Sequence, residues 1–275
     1  MKVTVYEVGP RDGLQYLEHI IDTDDKKNLI NALYRAGIEN IEEVSFAHPK
    51  RLPQMADAEK TFTGFGSGLV MNKRGYERAV KAGVEKINIV FSSCETFNLN
   101  NMGKTRQEII LMYKTFMDKV PKENVRVYIS MAFGSPYSGV VKPQTMLSCL
   151  RDAKMFGDTV VFADTVGVAS EQEVALWAEM ALDEGLTPAL HLHHKGNESR
   201  AVSLVRSGLL SGIKEFDSSI NGLGGCPFAE GSGANLSTQT LVRHLNVWGF
   251  DCGLQEEDLA DAARIARALT NVLLS

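Results

Sequence analysis

His191 and His193 are separated by a single residue, and that spacing is the sharpest chemical signal in the sequence. In an extended strand, residues i and i+2 share a face about 6.6 Å apart along the chain. Two imidazoles so placed stand side by side and can share one divalent cation. Two hydrogen-bonded histidines at a strand end would show the same spacing, so the pair alone does not decide. Asp12, Glu42 and Asp164 each lie at or just beyond the end of a short apolar run, and they add carboxylates to the same rim. With nitrogen and oxygen donors and no Cys-x-x-Cys pair among Cys94, Cys149, Cys226 and Cys252, the expected ion is Mg²⁺, Mn²⁺, Co²⁺ or Zn²⁺ in an open site.

Arg11 precedes Asp12 in the loop Gly9-Pro10-Arg11-Asp12-Gly13. As an exposed turn such a pair contributes little. Beside a metal-binding carboxylate, Arg11 would hold a developing oxyanion without giving up its own proton. The run Asn221-Gly222-Leu223-Gly224-Gly225-Cys226-Pro227 surrounds one cysteine with glycines. It reads either as a flexible surface loop or as a lid that delivers the Cys226 thiol as proton donor or acceptor. Glu42 and Asp164 at strand ends would orient a metal ligand or Arg11, with Ser45 and Thr165 as polar neighbours. Glu43 should face the opposite way from Glu42. Cys94, Cys149 and Cys252 read as packing residues. His19, His48, His194 and His244 have no partner pattern and read as surface or core residues.

These residues need a scaffold that brings strand ends together. A loose repeat supplies one: a helical segment, a closing glycine, then a short apolar strand. Gly37, Gly83, Gly157, Gly185 and Gly212 mark it, each fitting the left-handed residue that ends a helix. Strands are expected at Val3–Glu7, Ile41–Val44, Gly68–Met71, Ile87–Val90, Val125–Ile129, Val160–Ala163, Ala189–His191 and Phe216–Ser218. Eight strands alternating with helices imply a (β/α)8 TIM barrel, whose chemistry collects at the carboxyl ends of the strands. Residues 1–275 read as a single domain with C-terminal helices, Asp258–Leu274 forming the last amphipathic segment. Thr23 is placed to cap the first helix. A doubly wound sheet is the rival, but Glu7–Gly13 lacks its G-x-G-x-x-G fingerprint.

Composition narrows the field. Of 275 residues, 44% are hydrophobic and 23% charged, as in an ordinary folded enzyme. A net charge of -5, from 29 basic and 34 acidic residues, argues against a nucleic-acid partner. No apolar run is long enough to span a membrane, and the opening residues do not read as a signal peptide. Four cysteines without a scaffold pattern suit a reducing compartment, so a cytoplasmic location is expected.

Three stretches together resemble a known family. Glu7-Val8-Gly9-Pro10-Arg11-Asp12-Gly13-Leu14-Gln15 is similar to the opening motif of the 3-hydroxy-3-methylglutaryl-CoA lyases, metal-dependent barrels related to isopropylmalate synthases. Glu42-Glu43-Val44-Ser45-Phe46, Pro49-Lys50 and Pro53-Gln54-Met55-Ala56-Asp57 resemble their second-strand region. Gly222–Pro227 with Asn235 resembles their signature loop. The resemblance runs in order along nearly the whole chain. It implies that Asp12, His191, His193 and Asn235 hold the cation, that Arg11 steadies a thioester enolate and that Cys226 is the mobile-loop thiol. Gln15, Glu42 and Asp164 follow as further site residues.

A CoA-thioester substrate, cleaved to acetyl-CoA and acetoacetate, and assembly as a dimer or tetramer are also expected. The cation would chelate the substrate hydroxyl and carboxylate, and His191 or a carboxylate would act as base. Lys50, Arg51 and Lys104 are candidate diphosphate contacts. Three departures bear on the acyl pocket: His194-Lys195-Gly196-Asn197, Ser135-Pro136-Tyr137-Ser138-Gly139 and Tyr16-Leu17-Glu18 replace the family's Asp-Thr-Tyr-Gly, Cys-Pro-Tyr-Glu-Gly and Asn-Glu-Lys. They leave the acyl group open. They also leave room for an acetyl-CoA-dependent condensing enzyme or 4-hydroxy-2-oxo-acid aldolase on the same barrel, or for a barrel that binds CoA esters without turnover.

Overall fold

A computed structural model of the chain describes residues 1–225 and 233–270. Eight parallel strands occur where the apolar runs place them: β1 (Thr4–Glu7), β2 (Asn40–Ser45), β3 (Ser67–Leu69), β4 (Lys86–Ser92), β5 (Val125–Ser130), β6 (Thr159–Asp164), β7 (Thr187–His194) and β8 (Glu215–Ser218). Each pairs with the next in sequence, and β8 pairs with both β7 and β1. That last pairing closes the sheet and removes the doubly wound alternative, which keeps open edges.

Alternation along the strands builds two layers. The outward residues Ile129, Phe162, Leu190 and Leu192 join one continuous core with the surrounding helices. Trp177, on the helix Glu171–Asp183, is a large fully buried member of it. Capping boxes at Thr105 and Ser170 satisfy the first amides of the helices Arg106–Lys114 and Glu171–Asp183.

Two local expectations are settled by geometry. Thr23 does not cap its helix: Asp22 precedes the helix Thr23–Arg35, and the Thr23 hydroxyl donates instead to Asp57 Oδ2 at 2.6 Å. Glu43 does face outward. It accepts from Tyr34 OH (2.6 Å), Thr63 N (2.7 Å) and Gly66 N (2.9 Å). The register of β2 against β3 shifts between Glu42 and Val44, so two successive residues, Glu43 and Val44, lie on the helix side. Such a bulge resets the alternation, and Ser45 returns to the barrel mouth with Glu42 already inside.

Candidate functional site

The carboxyl ends of the strands open into a cavity of about 410 Å³, lined by Arg11, Asp12, Gln15, Ser45, His191 and His193 among others. Asp12 and Arg11 stand on a tight π-helical turn, Gly9–Gly13, directly after β1. Glu7 anchors that turn: its Oε1 accepts from Gly9 N at 2.7 Å and from Ile220 N at 2.9 Å, and its Oε2 accepts from the Thr238 hydroxyl at 2.6 Å. A Cβ on Gly9 would fall 2.6 Å from Glu7 Oε1, so the turn needs a glycine there. Burial with no cation beside it pushes the Glu7 carboxyl up to about 7.

One carboxylate oxygen of Asp12 and one ring nitrogen each of His191 and His193 lie within 4.8 Å of one another. The histidine nitrogens test whether this group suits a cation. His191 Nδ1 lies 3.0 Å from Asp217 Oδ2, and His193 Nδ1 lies 3.0 Å from the Thr165 carbonyl oxygen. Those acceptors fix a hydrogen on each Nδ1 and leave a lone pair on each Nε2. The two Nε2 atoms face each other at 3.0 Å. Converging lone pairs need a positive charge between or beside them, and Asp12 supplies the anionic oxygen that a divalent cation would add. Burial and the neighbouring His191 charge bring His193 down to about 4, so it stays a neutral donor at pH 7. His191 moves up: burial pulls it down, and the Asp217 contact outweighs that. Asp12 moves down: burial raises it, and Arg11, the two histidines and the Asn235 hydrogen bond together outweigh that.

Asn235 joins the group from outside the barrel sheet. A two-residue strand, Ala234–Asn235, pairs antiparallel with the end of β7 at His193 and His194. Asn235 Nδ2 donates to Asp12 Oδ2 at 2.8 Å and to the Leu223 carbonyl oxygen at 2.8 Å, which places the amide beside the Asp12 carboxylate. Gly224 (φ +105) passes so close that a Cβ there would sit 2.6 Å from this nitrogen.

Arg11 is clamped. Its Nε and Nη2 meet Glu42 Oε2, and its Nη1 donates to Asp12 Oδ1 at 2.6 Å. Glu42 is itself held by Asn88 Nδ2 at 2.7 Å. Glu42 therefore sits behind Arg11 and does not line the cavity. Gln15 Nε2 donates to Asp12 Oδ1 at 2.9 Å. Ser45 and Thr165 line the cavity. The Thr165 hydroxyl accepts from the amide of Met131, a buried residue held in the left-handed region (φ 55).

The structure thus brings together Arg11, Asp12, Gln15, Glu42, Ser45, Thr165, His191, His193 and Asn235. It does not bring Asp164. Alternation sends that side chain out of the barrel, where it accepts from Val168 N at 2.7 Å and Ala169 N at 3.0 Å. Expecting it at the site ignored its parity against Ala163 and Thr165, which do line the cavity. Cys226 lies outside the described residues. Lys50 does not reach the cavity, whereas Arg51 and Lys104 line its outer part. His48 is exposed, as expected of a surface histidine, and also borders the cavity. Asp217 was missed, although its place two residues after Glu215 on β8 put it on the inward face.

Comparison with known proteins agrees with this geometry. The family model described as HMGL-like matches residues 2–266. The hydroxymethylglutaryl-CoA lyase YngG of Bacillus subtilis is 34% identical over 273 residues, covering 96% of this chain and 91% of that protein. The 3-hydroxy-3-isohexenylglutaryl-CoA/hydroxymethylglutaryl-CoA lyase of Pseudomonas aeruginosa is 32% identical, with 96% and 91% covered. Among solved structures, an HMG-CoA lyase from Brucella melitensis superposes with a TM-score of 0.90 at 32% identity, covering 98% of this chain and 99% of that one. An HMG-CoA lyase from Acinetobacter baumannii, in complex with coenzyme A and 3-methylmalate, superposes with a TM-score of 0.91 at 30% identity, covering 98% and 91%.

Proposed function

The chain belongs to the HMGL-like family, and we propose that it is a metal-dependent carbon–carbon lyase cleaving a 3-hydroxy-3-methylglutaryl-CoA-like thioester to acetyl-CoA and acetoacetate. The observation that carries this reading is the convergence of Asp12, His191 and His193 beside a guanidinium locked by Glu42. Asp12, His191, His193 and Asn235 would hold a divalent cation, with Mg²⁺ or Mn²⁺ favoured by the mixed oxygen and nitrogen donors. When bound, such an ion supplies chelation of the substrate hydroxyl and carboxylate and makes that hydroxyl more acidic.

The chain's own residues supply the rest. The hydroxyl proton passes to the Asp12 carboxylate, which lines the cavity; His191, with its hydrogen on Nδ1 and its Nε2 given to the cation, would have no lone pair left to accept it. The C3–O⁻ electrons then form the new carbonyl, and the C2–C3 bond electrons move into the thioester as an enolate. Arg11, fixed by Glu42 and unable to lose its proton, stabilises the enolate oxygen. A proton delivered to C2 by Cys226 completes acetyl-CoA. Gln15 helps hold Asp12, while Ser45 and Thr165 border the acyl group.

A second reading, a branch longer than methyl at C3, draws on the cavity wall of Leu69, Met71, Val90, Phe97 and Met112. The P. aeruginosa relative carries an isohexenylglutaryl thioester in its name. Purified protein with Mn²⁺ and 3-hydroxy-3-methylglutaryl-CoA, assayed for acetoacetate, tests both readings. Turnover only on a longer-branched thioester would move the substrate and keep the reaction. Metal binding without turnover of any hydroxyacyl thioester would overturn the lyase.

Cys94, Cys149 and Cys252 are unpaired thiols among the described residues, which favours a reducing cytoplasm. Among those residues no helix is long and apolar enough to cross a membrane. Assembly as a dimer or tetramer completes the proposal.

A further inference from the structure

A polar layer lies under the cavity, deeper in the barrel, and the reaction above makes no use of it. Arg126 on β5 is only 9% exposed although it carries a full charge. Its guanidinium carbon lies 3.4 Å from the centroid of the Tyr6 ring. Its Nη2 is 2.9 Å from Asp217 Oδ1 and 2.6 Å from Glu215 Oε1. Its Nη1 donates to Tyr128 OH at 3.0 Å. Tyr128 OH in turn donates to Asp217 Oδ2 at 2.9 Å, the same oxygen that faces His191 Nδ1 at 3.0 Å.

Every member of this chain of contacts has its place fixed by another. Arg126 holds one oxygen of Asp217, and Tyr128, itself held by Arg126, holds the other. The carboxylate is left a single orientation, with Oδ2 toward the imidazole. Burying a guanidinium costs free energy unless its partners are well placed, and a barrel floor could be filled with apolar side chains instead. We infer that Arg126 is a positioning residue for the cation site: through Asp217 and Tyr128 it fixes the hydrogen of His191 on Nδ1 and leaves Nε2 free to bind the ion. The inference rests on the metal-binding part of the reading above and not on which thioester is cleaved.

Removing the guanidinium would leave Glu215 and Asp217 as two carboxylates on one strand face with no cation between them. Asp217 would lose its fixed orientation, and the ring hydrogen could then occupy Nε2, where it blocks the ion. Outer contacts of this kind typically change metal affinity by about 10–100-fold.

The test uses the full chain. Mn²⁺ is titrated by calorimetry into wild type, Arg126→Met, Arg126→Lys and Tyr128→Phe. Histidine tautomers are read from ¹⁵N spectra of the same proteins after chelation. The expected result is Mn²⁺ affinity at least about tenfold weaker in Arg126→Met, with His191 shifting toward the Nε2–H tautomer. Arg126→Lys should recover most of the affinity, and Tyr128→Phe should lose less than Arg126→Met. Unchanged affinity and tautomer in Arg126→Met would overturn the inference, even if that variant melts earlier. If Arg126→Met does not fold, Tyr128→Phe carries the test, and wild-type values for both readouts would overturn it. A wild-type protein that takes up no Mn²⁺ would sink the metal reading itself. That failure differs from a wild type and a variant that bind equally well.

Discussion

On β7, Leu190 and Leu192 point into the helical layer while His191 and His193 point into the barrel. The outer pair belongs to a continuous apolar core with many interchangeable neighbours. Each inner residue depends on particular partners from other parts of the chain: His191 on Asp217 of β8, and His193 on the carbonyl after β6. Apolar contact is non-directional and scales with area, so the outer face tolerates exchange of like for like. Hydrogen-bonded charge in a buried place requires each partner. The outer face should therefore govern whether the barrel stands, and the inner face what it does.

The largest expected effect falls on the outer face. Trp177→Ala should cost roughly 3–5 kcal/mol of stability in urea unfolding, while the folded fraction keeps its Mn²⁺ affinity. Loss of metal affinity along with stability would break the comparison. Arg11→Gln should fall on function first. A lost oxyanion donor lowers kcat about 10²–10³-fold, roughly 2.7–4 kcal/mol, with metal content close to wild type, while the buried Glu42 carboxylate left without its cation also lowers the unfolding midpoint. Activity near wild type would remove Arg11 from its assigned role.

Glu7 is a polar exception on the outer face, and it makes the contrast pH-dependent. Its carboxyl is raised from 4.5 to about 7 in the fold, so the native state prefers the protonated form. Stability from this group is full below about pH 4.5 and falls as pH rises toward 7, by about 3 kcal/mol in all. Unfolding free energies at pH 5 and pH 8 should therefore converge in Glu7→Gln relative to wild type. An equal pH dependence in both proteins would refute the buried neutral acid. Asp164→Asn should have the smallest effect: about 1 kcal/mol from a weakened turn and little change in kcat/KM. A collapse of kcat/KM would return Asp164 to the site.

The same contrast explains what could be read from residue order. The outer face is written locally, in apolar alternation and closing glycines, and all eight strands were legible from it. His191 and His193 were legible because their spacing and the strand period coincide. Asp164 was misplaced because proximity to a strand end was weighed without its parity. Arg126 and Asp217 were missed because they are 91 residues apart, and strand parity turns each inward without pairing one with the other. Their relation exists only once the sheet closes.

The bulge in β2 has a consequence for how this barrel tolerates length changes. With Glu43 as a spare residue in the strand, Glu42 can brace Arg11 while Ser45, three positions later, still borders the cavity. Deleting Glu43 would straighten the strand and leave Glu42, Val44 and Ser45 facing in, out and in, so the hydroxyl would stay at the mouth. Straightening the strand at its full length would instead turn Phe46 inward, and an aromatic ring would stand where a hydroxyl now does. One extra amino acid taken up as a bulge thus works as a clutch, letting the strand change length while the side chains it shows to the ligand stay the same.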